Sequence, residues 1–107
     1  MITRKKVINA LLDMGIPAGI KGIDYIADAI ELMQENEWRH GKITVLYYKI
    51  GEKYNATASG VERGIRTAFN AALRNKSPEE LKKYIGMQKQ TNGNLLYALY
   101  YKLQEDE

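Results

Sequence analysis

With 107 residues, no cysteine and a single histidine, the chain can bury one modest core but has no disulfide framework, thiolate metal site or cysteine nucleophile. A formal net charge of +3 and a pI near 9.1 are mildly basic, as suits a polyanionic partner. No run approaches the roughly 18 apolar residues of a membrane span, and the basic start Arg4-Lys5-Lys6 lacks the apolar region of a secretory signal, so a cytoplasmic location is expected.

Val7, Ile8, Leu11 and Leu12 recur at helical spacing over residues 3–14, and Gly15 closes that run as a C-terminal cap. Residues 16–22 form a breaker-rich link whose two isoleucines tuck inward while Lys21 stays wet. As a connector it needs no further role, although Lys21 or the amides near Gly22 could meet a phosphate. A longer helix is expected over 23–38, with Ile23, Ile26, Ala27, Ile30 and Met33 inward and Asp24, Asp28, Glu31, Glu35 and Glu37 outward. Trp38-Arg39-His40-Gly41 reads as its C-terminal end, where a lone histidine has no neighbouring ligands for metal or catalysis.

The informative stretch is 50–69, IGEKYNATASGVERGIRTAF, whose pattern is two helices meeting at a tight corner. The first carries an inner stripe of Ile43, Leu46, Tyr47, Ile50 and Tyr54, with Gly51 allowing close backbone approach. Asn55 tolerates the left-handed conformation that ends a helix, and Thr57 or Ser59 can cap the next, Ser59-x-x-Glu62 matching a capping box. In the second helix, expected at about 58–75 and ~27 Å long, Val61, Ile65, Ala68, Phe69 and Ala72 share one side. Ser59, Glu62, Arg63, Arg66 and Asn70 share the other. A braced helix with outward arginines is the helix-turn-helix arrangement that enters a DNA major groove, although any small helical domain has polar outer faces and Glu62 to Arg66 is an ordinary i,i+4 pair.

Ser77-Pro78-Glu79-Glu80 is a strong helix start, followed by Leu81, Tyr84 and Ile85 and stopped at Gly86. After a polar loop over 88–92, Thr91 or Asn92 caps a last helix through Leu95, Leu96, Leu99 and Leu103. Its Tyr97, Tyr100 and Tyr101 suit a partner surface and the rim of a core equally well. The expected fold class is all-α, a compact six-helix domain covering 1–107 with no strand pattern.

MGIPAGIKG at 14–22, GKITVLY at 41–47, the corner at 50–69 and residues 91–103, in this order and spacing, resemble the C-terminal effector domain of the stage zero sporulation protein A family. These are sporulation response regulators of endospore-forming Firmicutes, and the likeness runs over about 7–103. It implies a transcription regulator that reads a short G/C-containing box in double-stranded DNA, binds as tandem copies and touches the RNA polymerase sigma subunit. It implies no cofactor and no membrane. Matched position by position, it implies base reading by Glu62, Arg63 and Arg66: Arg63 bidentate to guanine, Glu62 accepting from a cytosine amine, and Arg66 on an edge or the backbone. Thr57, Ser59, Gly60, Thr67, Lys21 and Arg74 are the expected backbone-contacting or supporting residues. Gly60 departs from the family, which usually has arginine there, and Gly64, commonly alanine, is expected to lower helix stability by roughly 1 kcal/mol in an exposed interior. Nothing in the chain houses the phospho-acceptor pocket of the family's receiver domain. A receiver-less protein-interaction module, pairing with a full-length regulator or with sigma through the last helix, is therefore the alternative. Without a convergent His, Cys or carboxylate set, enzymatic activity is not expected.

Overall fold

A computed structural model describes residues 1–35, 42–86 and 91–107, which form six helices and no strand. They are α1 (Arg4–Asp13), α2 (Lys21–Gln34), α3 (Ile43–Tyr54), α4 (Ala58–Asn75), α5 (Pro78–Leu81) and α6 (Asn92–Glu105). Trp38, Arg39, His40 and Gly41, and 88–90 of the polar loop, lie outside the described residues.

Short polar side chains fix where the helices begin. Thr3, Thr57, Ser77 and Thr91 each accept a hydrogen bond from a backbone N–H three residues on, at 3.1, 2.9, 3.2 and 3.2 Å. At α5 the reciprocal bond from the Ser77 N–H to Glu80 Oε1, 2.9 Å, completes the capping box. Left-handed residues end three segments: Gly15 (φ +84°), Asn55 (φ +55°) and Gly86 (φ +62°).

The core forms around α4, which packs against α2, α3, α5 and α6. Val61, Ile65, Ala68, Phe69 and Ala72 all turn inward, as their shared arc requires. From α2 come Ile23, Ile26, Ile30 and Met33, from α3 Leu46 and Ile50, and from α6 Leu95, Leu96, Leu99 and Leu103. Tyr100 is buried with them, whereas Tyr97 is half-buried and Tyr101 exposed, its ring 6.3 Å from Tyr97 and 5.4 Å from Tyr100.

Several expectations fail for tertiary reasons. Leu12, expected on the apolar side of α1, is exposed while Val7, Ala10 and Leu11 are buried. The second helix starts at Lys21, absorbing part of the supposed link, and ends at Gln34 with Glu35 extended. Asp28, expected outward, is only 4% exposed. Its Oδ1 takes the Arg4 guanidinium at 2.6 Å and the Lys53 ammonium at 3.1 Å, tying α1 and α3 to α2. Arg4 also reaches Asp24 at 3.1 Å, Glu31 at 3.4 Å and the Tyr54 hydroxyl at 3.4 Å. Burial pushes the Asp28 carboxyl up, but hydrogen bonds from Tyr54, Arg4 and Lys53 outweigh it and hold the group below the ordinary carboxylate range. The charge of Arg4 is thus neutralised inside the protein rather than offered to a polyanion.

Candidate nucleic-acid interface

The corner between α3 and α4 is three residues long, Asn55, Ala56 and Thr57. Asn55 reverses the chain, its N–H and that of Ala56 bonding back to Gly51 O. A side chain at Gly51 would collide with the Ala56 carbonyl, which is why the smallest residue stands there. Thr57, not Ser59, caps α4. The third helical residue is then Gly60, so the Ser59-x-x-Glu62 capping box is not made and Ser59 lies exposed within the first turn.

Two contacts set the depth of α4. On one side α2 crosses so closely that a Cβ on Gly22 would lie 2.5 Å from Gly64 O and 2.6 Å from Ala68 Cβ. A Cβ on Gly64 would lie 2.8 Å from the buried ring of Tyr25. Gly64 is therefore a packing residue, not a weak point on an exposed surface. On the other side the Asn92 amide, in the first turn of α6, donates to Glu62 O at 2.9 Å. The same side chain neighbours the Tyr47 hydroxyl of α3 and favours its ionised form. Burial raises the Tyr47 pKa, keeping that hydroxyl neutral at any physiological pH.

Outward from these contacts, Ser59, Arg63, Arg66, Thr67, Asn70 and Arg74 are exposed and Glu62 half-buried. Arg66 Nη2 is paired with Glu62 Oε1 on the same helix. Among the described residues neither Arg63 nor Arg74 is held in an ion pair. Arg63, Thr67, Asn70 and Arg74 form one line along α4, and Arg74 lies eleven residues beyond Arg63, about 16 Å down the axis. It thus shares the face but not the neighbourhood of the other two arginines. Lys21, exposed in the first turn of α2, sits where that helix crosses the middle of α4. Glu62, Arg63 and Arg66 are together in the N-terminal half of α4; Lys21 flanks them and Arg74 stands apart.

Tyr25, Tyr47 and Asn92 carry no sequence signal as site residues. Tyr47 reads as core, Tyr25 falls outside the inward set expected for its helix, Asn92 reads as one of two candidate caps, and no periodicity within a helix links position 92 to position 62.

A short corner, a braced second helix and arginines on its free side define a helix-turn-helix DNA-binding domain. The family model described as Sporulation initiation factor Spo0A C terminal matches residues 7–103, and the chain belongs to that family. The family is one of DNA-binding effector domains in sporulation and transcription regulation, not a family of enzymes. Among the described residues, no helix is long and apolar enough to cross a membrane.

Proposed function

We propose that this chain regulates transcription by placing the N-terminal half of α4 in a major groove and reading a short G/C-containing box. Arg63 bonds a guanine edge through both guanidinium nitrogens, Glu62 accepts from a cytosine amine, and Arg66 reads an adjoining edge or steadies the backbone. Lys21 and Arg74 contact phosphates on either side, while Thr57, Ser59, Gly60 and Thr67 keep the first turns of α4 close to the backbone. Family likeness extends the proposal to tandem copies on DNA and to contact with the sigma subunit of RNA polymerase.

The observation that carries this reading is Arg63: exposed, outside any ion pair among the described residues, and on a helix whose depth is fixed from both sides. A bidentate arginine contributes about 1–3 kcal/mol of discrimination between bases. Arg63→Ala is therefore expected to weaken binding to a selected box by roughly tenfold or more while scarcely changing binding to scrambled DNA, measured by mobility shift at fixed salt. Equal losses on both DNAs would remove Arg63 from base reading.

A further inference from the structure

The Asn92 amide donates to the carbonyl of Glu62, 30 residues earlier, at 2.9 Å, and the Tyr47 hydroxyl is its polar neighbour on α3. Glu62 O lies in the helix interior, where Arg66 N–H already satisfies it in the regular ladder, so the added bond is not needed to complete the backbone. Its effect is geometric. Tyr47 is only 6% exposed and fixed in the core, and Asn92 is held by the first turn of α6 behind its Thr91 cap. The second turn of α4, which carries Glu62 and Arg63, is thereby tied to α6, with Tyr47 of α3 beside the joint.

On the far side α2 presses on the backbone at Gly64. That contact, with the burial of Val61, Ile65, Ala68 and Phe69, sets the depth and the coarse rotation of α4, but van der Waals packing is non-directional and leaves the last few degrees of roll soft. The hydrogen bond from Asn92 is directional and resists rolling of α4 about its own axis. At the end of a ~6 Å arginine side chain, a roll of ten degrees displaces the guanidinium by roughly 1–2 Å, enough to break bidentate geometry.

From this we infer that Asn92, beside Tyr47, is a positioning residue for base reading: it holds the fine rotation of the second turn of α4 so that Glu62, Arg63 and Arg66 point at base edges. The inference rests on the proposed box reading. It assigns Asn92 no contact with DNA.

The test compares wild type, Asn92→Ala, Tyr47→Phe and the double variant for affinity to a selected box and to scrambled DNA at one salt concentration. Ser77→Ala, which removes the cap of a helix remote from the tether, serves as a destabilised control. Asn92→Ala and Tyr47→Phe should each lower the ratio of box to scrambled affinity by roughly three- to tenfold, the worth of about one net hydrogen bond. The double variant should lose little more than either single one, and Ser77→Ala should keep the full ratio. The Tyr47→Phe arm keeps the test decisive if Asn92→Ala folds poorly. A ratio within twofold of wild type in both single variants, losses that add in the double, or an equal fall on both DNAs would overturn the inference. A wild-type protein with no preference for any box would instead overturn the reading on which it rests.

Discussion

Replacing Gly22 by alanine tests whether the crossing of α2 and α4 is as close as the recognition helix requires. The added carbon would lie 2.5 Å from Gly64 O and 2.6 Å from Ala68 Cβ. Ordinary carbon contacts begin near 3.5 Å, so the helices would have to part by about 1 Å. One neighbour is backbone and the other a methyl group without rotamers, so neither can swing aside. Overpacking of this kind costs about 1–3 kcal/mol, and a backbone neighbour places it at the upper end. Alanine's helix preference returns less than about 1 kcal/mol, since Gly22 is only the second residue of α2. The net loss is about 2 kcal/mol, which in a domain of this size lowers the melting temperature by roughly 10 °C. Thermal unfolding followed by far-UV circular dichroism reads it directly. Gly19→Ala provides the comparison, because a Cβ there meets nothing within 4 Å and should leave stability unchanged or slightly higher. A Gly22→Ala protein that melts with or above the wild type would refute the close crossing and the depth assigned to α4.

Two further outcomes follow from the charges. Asp28 has its folded pKa depressed, so its contribution is complete above the ordinary carboxylate range, near 3.9, and is lost as pH falls through the folded value. Asp28→Asn should therefore be less stable at pH 7 by about 2 kcal/mol, the cost of leaving Arg4 and Lys53 without their shared anion after discounting for their exposure, and the gap should close in acid. Urea titrations across pH would show it, and a pH-independent gap would contradict the assignment. Lys21→Ala and Arg74→Ala should lower affinity on box and scrambled DNA alike, each reducing the slope of log K against log salt by about 1; an unchanged slope would take that residue off the phosphates.

Most of the helices were legible because their signals are local. Apolar spacing located α1, α3, α4 and α6, and the Ser77-Pro78-Glu79-Glu80 start identified where α5 begins, although the helix ends at Leu81 and the chain reaches Gly86 as turns. Asn55 was readable because few residues other than glycine tolerate its backbone angles. At the start of α4, Thr57 and Ser59 each satisfy the local rules, and what chooses between them is where the three-residue corner lets the chain turn inward. Asp28 could not be placed by periodicity, since the cations that make its burial tolerable come from residues 24 positions before it and 25 after. Gly64 shows the same limit: glycine in a helix looks like a weakness until Tyr25 is seen to occupy the space its side chain would fill. Of the candidate site, the outward arginines were readable from the helix period, whereas the tether through Asn92 exists only in three dimensions.

Arg66 does not wait in solvent for a duplex, because it already has a counter-charge one turn back in Glu62. On the proposed mode of binding, a target that draws the guanidinium away strips that carboxylate of its cation within a strongly negative field. An acceptor for the arginine together with an amine for the glutamate satisfies both groups, but an acceptor alone leaves a bare anion facing the bases. Two adjacent letters of the target are thereby judged jointly rather than one at a time.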